Sequence, residues 1–235
     1  MNGINSDYGF IEVIYEDNHL LAAVKPPNLP SQGDLSGDPD MLTLLKQYLA
    51  EKYSKTGNVF LGLVHRLDRP VGGIMIFART SKAATRLSAQ FASHSNEKHY
   101  LAVLEGELKE ETRLEDLILA PQGKNAMIMD HDVVGAKRAA LVSTPLAYRD
   151  GLTLSDVRLE TGRKHQIRVQ HAHAGYPLWG DNRYGNGKRG QQIALWAYLL
   201  EIEHPTLHTP VRLTALPPRS GIWEGFYDKL EELKK

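Results

Sequence analysis

The sequence predicts an α+β protein with a mixed, mostly antiparallel central sheet and flanking helices. Apolar runs of strand length outnumber the stretches in which apolar residues recur at helical spacing. Many of these runs follow one another after a short turn, which favours hairpins over the alternating strands and helices of a doubly wound fold. With 235 residues, 42% of them hydrophobic, the chain is long enough to bury a substantial core.

The first half of the chain contains both strand and helix signals. Strands are predicted at residues 11–24 (with a turn at 16–18), 59–64 and 74–78, and loops at 25–39 and 65–73. Helices are predicted at 41–53 and 82–93. Asp40, and either Thr80 or Ser81, stand where the N-caps of these helices are expected.

The second half is richer in strands. They are predicted near residues 99–104, 126–129, 139–148 and 152–160. A helix is predicted over 164–174, ended by Gly175, because glycine readily adopts the left-handed conformation that follows a helix. Residues 192–203 form a mixed stretch, and a last helix is predicted at 223–233.

Composition excludes several classes of protein. Cysteine is absent, so disulfides, cysteine metal sites and thiol nucleophiles are excluded. No apolar run approaches the length that spans a membrane, and the N-terminus lacks a secretory signal pattern. We therefore expect a cytoplasmic protein with no membrane partner.

The net charge is zero, but the charges are unevenly distributed. Residues 65–86 carry five Lys or Arg against one acid, and residues 161–190 carry six against one. The acids collect in residues 1–52 and 97–118. This segregation predicts a basic face that binds a polyanion, the alternative being chance clustering of solvated residues.

Residues 65–73 join two predicted strands, which is a usual place for functional residues. Asp68 lies in sequence between Arg66 and Arg69, and neighbouring cations favour its ionised form. An ionised carboxylate in a basic cleft acts as a nucleophile or stabilises a cation developing on a sugar. The alternative is that Asp68 begins a surface turn and takes part in ordinary ion pairs.

Residues 161–168 place a glycine turn before a predicted helix. The backbone N–H groups of such a helix start favour anions such as phosphate, and Arg163 and Lys164 strengthen that preference. Arg168 either contributes to the same site or pairs with a carboxylate. An ordinary exposed, positively charged helix start is the alternative interpretation.

Histidines and a tyrosine complete the set of candidates. His165, His171 and His173 suggest a metal site, but at helical spacing the last two point about 200° apart, so one helix does not aim both at a single ion. Tyr100 opens an apolar strand, where it either packs on the sheet or stacks on a nucleobase.

These segments, in this order, resemble the RluA family of pseudouridine synthases. The resemblance covers roughly residues 10–220 and rests on His-Arg-Leu-Asp at 65–68, Lys-His-Tyr-Leu at 98–101, the segments 161–168 and 175–185, and a tail region made of 204–205 together with 217–218. Five matching regions in one order are a far more specific signal than a single motif.

The resemblance implies an enzyme that isomerises uridine within RNA. Asp68 would be the catalytic carboxylate, Tyr100 would stack on the uracil, and Arg168 would pair with Asp68 and orient it. Arg66 would occupy the place of the flipped-out base. RNA contacts are implied for His65, Arg66, Arg163, Lys164, His165 and Gln166.

The resemblance also implies one catalytic domain over residues 1–235 without an S4 domain, acting with no cofactor and no metal. The expected partner is a stem-loop of ribosomal or transfer RNA, and the simplest oligomeric state is a monomer. Two alternatives stay open, a non-catalytic RNA-binding or RNA-folding protein on the same fold and a metal-dependent hydrolase that uses the histidines.

Overall fold

The computed structural model describes residues 2–233, which divide into two compact units. Unit 1 consists of the residues up to Glu97 together with Ala197–Ala215, and unit 2 consists of Lys98–Trp196 together with the residues from Leu216 onwards. No helix within residues 2–233 is long and apolar enough to cross a membrane.

The elements alternate irregularly along the chain. The strands are β1 (Gly3–Ser6), β2 (Gly9–Glu16), β3 (Leu20–Lys25), β4 (Gly62–Leu63), β5 (Gly72–Ala78), β6 (Glu97–Glu105), β7 (Thr112–Leu119), β8 (Met127–Met129), β9 (Lys137–Arg149), β10 (Leu152–Leu159), β11 (Leu195–Glu203) and β12 (Pro210–Thr214). The helices are α1 (Met41–Lys52), α2 (Ser81–Ser93), α3 (Gln166–His173) and α4 (Tyr227–Glu232), the last preceded by a 3-10 helix at Gly221–Phe226.

In unit 1 the strands follow the order β1-β2-β3-β5-β11, with β4 also paired to β5 and β12 paired to β11. The register of β3 and β5 is antiparallel, with Ala22 opposite Ile76. All seven residues of β5 are buried, as predicted for this run, and α2 packs on the sheet through Ala83 and Leu87. The hydrophobic side chains of these elements form the core that holds the loop between β4 and β5.

The helix starts of unit 1 are those that the sequence predicts. The side chain of Asp40 accepts a hydrogen bond from the backbone N–H of Thr43 at 3.1 Å, and that of Thr80 accepts one from Ala83 at 3.2 Å. Each bond satisfies a backbone donor that has no partner within the first helical turn. Thr80 rather than Ser81 is therefore the cap of α2.

In unit 2 the strands follow the order β6-β10-β9-β7-β8, and each neighbouring pair is antiparallel. The long strand β9 pairs with β10 on one side and with β7 on the other. Helix α3 packs on this sheet through Val169, which belongs to one buried hydrophobic cluster with Ile118, Ala126 and Ala139. The predicted α+β class with a mostly antiparallel sheet is confirmed.

The structure differs from the predicted elements at several points. β1, β7 and β12 were not predicted, because β1 and β12 are short and β7 intersperses charged residues among its apolar ones. The helix predicted from Lys164 begins at Gln166, because His165 has a φ of 56°, which interrupts a right-handed helix. The last helix is wrong in its first half, where Gly221–Phe226 forms a 3-10 turn.

Candidate active site

Asp68 lies in the loop between β4 and β5, as the sequence predicts. The carbonyl of Asp68 accepts a hydrogen bond from the N–H of Val71 at 3.0 Å, which closes a reverse turn. Within this turn region Arg66 is exposed and Leu67 is buried, while Asp68 is half-buried. The turn therefore has an apolar anchor on one side of Asp68 and an exposed cation two residues before it.

The glycine at position 73 fixes how the loop enters β5. Gly73 has a φ of 121°, a conformation that side chains rarely adopt, and a Cβ atom there would lie 2.2 Å from the carbonyl oxygen of Ala197. Any other residue at this position would push the strand away from its neighbour. Glycine at the second position of this Gly-Gly pair therefore has a structural cause.

Ser31 holds the peptide units on either side of Leu67, next to Asp68. Its Oγ donates to the carbonyl of Leu67 at 2.8 Å and accepts from the N–H of the same residue at 3.2 Å. Ser31 is itself buried, so both backbone groups are satisfied away from water. The position of the Asp68 backbone is thus set in part by a residue 36 positions earlier in the chain than Leu67.

Lys25 holds the other side of the turn. Its Nζ donates to the carbonyl oxygens of Pro26 at 3.1 Å, Leu29 at 2.7 Å and Arg69 at 2.9 Å. The side chain is 0% exposed, and burial lowers its pKa to about 7, although the negative charge of Asp68 acts in the opposite direction. A lysine at the end of a strand thus links the loop that begins at Pro26 to the residue after Asp68.

Arg69 is directed away from the turn towards the loop before α1. Its Nε donates to the carbonyl of Asn28 at 3.0 Å, and its guanidinium also contacts Ser36 and forms ion pairs with Asp38 and, at 3.8 Å, Asp34. These ion pairs are exposed and individually weak. The sequence left open that this turn forms ordinary surface ion pairs. Arg69 does form such pairs.

His65 has a structural role that the sequence did not predict. Its Nε2 accepts a hydrogen bond from the N–H of Ile76 at 3.0 Å, and its ring stacks on Phe91 with centroids 4.5 Å apart. These contacts connect the start of the loop to β5 and α2. The RNA contact predicted for His65 stays a prediction.

In unit 2 the turn before α3 is organised around the side chain of Gln166. Its Oε1 accepts from the hydroxyl of Thr161 at 2.8 Å and from the N–H of Arg163 at 2.9 Å, and its Nε2 donates to the carbonyl of Ala140 at 3.0 Å. Gln166 is buried. The N–H of Arg163, which the sequence assigned to an anion site, is therefore bound by the protein itself.

Arg163 and Lys164 also donate to carbonyls of the protein. The Nε of Arg163 donates to Arg138 at 3.0 Å, and the Nζ of Lys164 donates to Lys124 at 2.8 Å. The first bond joins the turn to β9, and the second joins it to the segment between β7 and β8. The structure thus gives each of these two predicted RNA-binding cations a contact with a backbone carbonyl of unit 2.

Arg168 forms a buried, bidentate ion pair with Asp181. Its Nε and Nη2 lie 2.7 Å from the two carboxylate oxygens, and the side chains of Arg168 and Asp181 are 5% and 1% exposed. Burial raises the pKa of Asp181, but the hydrogen bonds and charge of Arg168, with the N–H groups of Arg183 and Tyr184, lower it overall. Arg168 therefore pairs with a carboxylate of unit 2, which is one of the two roles that its sequence context left open.

His165 lies next to Tyr184 at the start of α3. Its Nδ1 is 2.8 Å from the hydroxyl of Tyr184, which also accepts from the N–H of Ala126 at 2.9 Å. The guanidinium of Arg168 lies over the Tyr184 ring, 5.3 Å from its centroid. Tyr184 was part of the polar loop whose purpose the sequence left unassigned, and it links three segments of unit 2.

Tyr100 lies on β6, opposite Val157 of β10, and is half-buried. Lys98 shares its face of the strand, and its Nζ is 3.6 Å from the point at which a Cβ on Gly162 would stand. Burial lowers the pKa of Lys98. His99 points to the other face and hydrogen-bonds through Nδ1 to Asp156 at 2.9 Å.

The histidines of α3 do not share a face. His171 is buried, with Nδ1 donating to the carbonyl of Ile167 at 2.8 Å and Nε2 at 2.9 Å from Ser143, whereas His173 is exposed. Burial lowers the pKa of His171 to about 4. The two side chains therefore differ in exposure, as expected for opposite faces of the helix, and no cluster of potential metal ligands occurs among residues 2–233.

Four residues that hold or lie beside the predicted site segments were not singled out from the sequence. Lys25 and Ser31 were placed at a strand end and in a loop, and Lys98 and Asp181 were quoted within longer segments. A lysine that ends an apolar strand is the one local signal that could have drawn attention to Lys25, because lysines are rarely buried. The partners of Ser31 and Asp181 depend on tertiary structure.

Residues 19–173 match the family model described as RNA pseudouridylate synthase. Among curated relatives, ribosomal large subunit pseudouridine synthase D of Zymomonas mobilis is 32% identical over 90% of this chain and 66% of the relative. The enzyme of the same name from Pseudomonas aeruginosa is 32% identical over 91% of this chain and 70% of the relative. tRNA pseudouridine synthase C of Vibrio cholerae is 28% identical over 92% and 93%. The chain thus spans about two thirds of the length of the first two relatives.

Solved structures share the fold. Human RNA pseudouridylate synthase domain containing 4 has a TM-score of 0.74 and 20% identity, covering 94% of this chain and 92% of that chain. Human RNA pseudouridylate synthase domain containing 1 has a TM-score of 0.73 and 19% identity, covering 96% of each chain. At this identity the likeness concerns the fold alone.

Proposed function

Because this chain belongs to the RNA pseudouridylate synthase family, we propose that it isomerises uridine to pseudouridine in ribosomal or transfer RNA, with Asp68 as its catalytic carboxylate. The family named from the motifs is confirmed, and so is the enzyme class of that family, an isomerase. The observation that supports the role of Asp68 best is the way its loop is held: Ser31 and Lys25 bind the backbone of the residues before and after it.

The reaction exchanges one bond to the sugar for another. The N1–C1′ bond breaks, the uracil turns, C5 bonds to C1′, the proton leaves C5, and N1 ends protonated. No atom is gained or lost. Asp68 either attacks C1′ or removes the 2′ proton on a route through a glycal, and a carboxylate is a suitable nucleophile or base for these roles.

The other site residues are proposed from the resemblance and have compatible surroundings. Tyr100 stacks on the uracil, which its half-buried position on β6 allows. The exposed Arg66 occupies the space of the flipped-out base. Arg168 remains the proposed third catalytic-site residue, with its guanidinium fixed in unit 2 by Asp181. His65, Arg163, Lys164, His165 and Gln166 line or support the RNA path.

The substrate class is proposed from the relatives. Two of them are named for the large ribosomal subunit and one for tRNA, so a stem-loop in either RNA is the substrate we propose. We also keep as proposals a single catalytic domain over residues 1–235, a monomeric state and a cytoplasmic location. Because Lys and Arg are concentrated in residues 65–86 and 161–190, RNA binding is expected to weaken as salt is raised.

A map of pseudouridine in all cellular RNAs, made with and without the gene, tests the proposal and identifies the uridine. Sites that disappear on deletion should return with the wild-type gene and not with Asp68→Ala. The matched control is Asp7→Asn, an exposed acid in the turn after β1, which should restore the sites. In vitro, Asp68→Ala should lower the rate by at least about three orders of magnitude.

Two results would contradict the proposal in different ways. Full activity of Asp68→Ala would remove that residue from the chemistry while leaving the enzyme class intact. An unchanged map, together with RNA binding by the purified protein and equal rescue of a deletion phenotype by Asp68→Ala, would favour the non-catalytic RNA-binding alternative.

A further inference from the structure

We propose that the loop over residues 182–191, between α3 and β11, binds RNA phosphates through the exposed side chains of Arg183, Lys188 and Arg189. The inference rests on the proposed function, since an RNA substrate is the occupant that it assigns to the loop. The uneven charge of the sequence predicted a basic face but gave these three residues no role. The proposal therefore adds a second group of RNA contacts to those expected from residues 163–166.

The three cations differ from the exposed arginines on the strands of unit 2. Each of those arginines forms an ion pair with Asp or Glu, namely Arg113, Arg138, Arg149 and Arg158. Within residues 2–233, the side chains of Arg183, Lys188 and Arg189 form neither an ion pair nor a hydrogen bond. A cation without a carboxylate partner keeps its positive potential for a polyanion.

The carboxylates that touch this loop are engaged elsewhere. Among the residues that the structure describes, those that hydrogen-bond to the loop are Asp181 and Glu105. Asp181 is buried and pairs with Arg168, while Glu105 accepts from the side-chain amide of Asn186 at 2.8 Å. The sequence contains no acidic residue from 182 to 200. The loop therefore presents an excess of positive charge.

The backbone of the loop is anchored at Asp181. The carbonyl of Asp181 accepts from the N–H groups of Gly185 and Gly187, at 3.1 Å each. A Cβ on Gly187 would lie 2.3 Å from the carbonyl carbon of Gly180, so the two backbones are in direct contact. Because Asp181 also binds Arg168, the loop begins at the partner of a proposed active-site residue. The phosphates that it meets are therefore those close to the target uridine.

A closed turn presents the two cations at the tip of the loop. The side chain of Gln191 accepts from the N–H of Lys188 at 3.0 Å, and the N–H of Gln191 donates to the carbonyl of Lys188 at the same distance. Gly190 lies within this turn and has a φ of 85°, which glycine adopts without strain. The turn is thus formed before RNA binds, which lowers the entropy lost on binding.

The test is the affinity of Lys188→Met/Arg189→Met for the RNA that the pseudouridine map identifies. Each lost phosphate contact should weaken binding about five- to eightfold at about 0.1 M salt, because fewer condensed counterions are released. The double variant should therefore bind about 25- to 60-fold more weakly than the wild type. Its slope of log affinity against log salt should be smaller by about 1.4 to 1.8 units.

Lys109→Met/Arg158→Met is the matched control, because it removes the same total charge from unit 2. The side chain of Lys109 is 78% exposed, and Arg158 lies 3.8 Å from Glu160. The control should keep the affinity and the salt slope of the wild type. In both double variants kcat at saturating RNA should stay within about twofold of the wild type, whereas KM should rise only in Lys188→Met/Arg189→Met, since the loop supplies binding and no chemistry.

Neutral phosphate analogues locate the contact on the RNA. Methylphosphonates are placed one at a time on either side of the target uridine, and binding is measured with the wild type and with Lys188→Met/Arg189→Met. At one or two positions the analogue should weaken wild-type binding about five- to eightfold and leave the double variant unaffected, because the variant has already lost that contact. Equal effects on both proteins at every position would overturn the inference.

The outcomes separate this inference from the proposed function. An active wild type whose affinity is unchanged in Lys188→Met/Arg189→Met leaves the function standing and removes the loop from RNA binding. A fall in affinity that the control variant shares would assign the effect to total charge and would also overturn the inference. A wild type that binds no cellular RNA and forms no pseudouridine overturns the function and the inference together.

Discussion

The Asp68 turn of unit 1 and the Thr161–Arg168 segment of unit 2 are held in opposite ways. In the first, distant side chains bind the backbone of the turn, as Ser31 does at Leu67 and Lys25 at Arg69. In the second, the segment's own side chains reach outwards, as Gln166 does to Ala140. The backbone next to Asp68 is therefore held by side chains from elsewhere in unit 1, in addition to the outward contacts of His65 and Arg69, whereas Gln166 of the second segment holds its own turn.

This difference between the two segments shows that the cations of a basic motif need not all be available to bind RNA. Arg66 on the first turn is exposed, and its side chain extends from a backbone that other residues fix. Arg163 and Lys164 in the second segment each donate to a carbonyl of the fold. A cation in the second segment therefore serves stability and RNA binding at once, and the two contributions have to be separated by experiment.

The largest effect on stability is expected from Asp181→Asn, which tests whether the second segment depends on its own ion pair. The change leaves the guanidinium of Arg168, which is almost completely buried, without the carboxylate of Asp181. Weakening the compensation of a buried charge typically costs about 3–5 kcal/mol. Urea unfolding measures the loss.

Asp228→Asn provides the matched control. Asp228 pairs with Arg149 at the surface of unit 2, at 2.6 Å, with side chains 58% and 43% exposed. Solvent screens this pair, so its loss should have little effect on unfolding. If both variants unfold alike, the buried pair does not support the second segment, and the comparison between the two regions fails.

The next largest effect is a pH dependence of stability carried by α3, the helix that begins within the second segment. The pKa of His171 is lowered from 6.5 to about 4, so the unfolded chain binds more protons between these values. The free energy of unfolding should therefore decrease as the pH falls from about 6.5 to about 4, by about 3 kcal/mol. Above about pH 6.5 this group contributes no slope.

Urea titrations at several pH values between these limits measure the dependence. His171→Gln, which cannot take up a proton, should flatten the slope, even though it also weakens the bonds to Ile167 and Ser143. His131→Gln, at an exposed position between β8 and β9, should retain the wild-type slope. Equal slopes in wild type and His171→Gln would show that another group is responsible.

A smaller effect is expected from Ser31→Ala, which tests the first region. The change leaves the buried N–H and carbonyl of Leu67 without the hydroxyl of Ser31, at a cost of about 1–3 kcal/mol. Because Leu67 precedes Asp68, kcat should fall as well. Ser88→Ala, at an exposed position of α2, serves as the control for both measurements. A loss of stability with an unchanged kcat would separate the support of the loop from the chemistry.

Local pattern was sufficient to predict the elements that carry the proposed site. The loop from residue 65, the buried strand behind it and the caps at Asp40 and Thr80 all follow from signals within a few residues and are confirmed, except that the strand begins at Gly72, two residues earlier than predicted. The turn before α3 was predicted as well, but its helix begins two residues later, because the left-handed conformation of His165 is not specified by its residue type.

The supports of the two regions could not be predicted in the same way. Ser31 is 36 residues from Leu67, and Lys25 is 44 residues from Arg69, so their pairing depends on the order of strands in the sheet. β7 was missed because its charged residues at positions 113, 115 and 116 obscure the apolar pattern, and its pairing with β9 determines its conformation. The spacing of residues in the sequence indicates candidate positions, but the order of strands in the sheet determines which side chains contact one another.

The smallest expected effect concerns the two contributions of Lys164. If its ammonium binds an RNA phosphate in addition to the carbonyl of Lys124, Lys164→Met should reduce the slope of log affinity against log salt by about one unit. Binding is measured with the RNA identified by the pseudouridine map, at several salt concentrations. Lys109→Met, which removes a lysine whose side chain is 78% exposed and which lies outside the predicted RNA-binding segments, should leave the slope unchanged. A slope that stays at the wild-type value in Lys164→Met, together with a lower unfolding temperature, would assign this lysine to the fold alone, and Arg66 would then be the better place to look for the cation that meets the RNA.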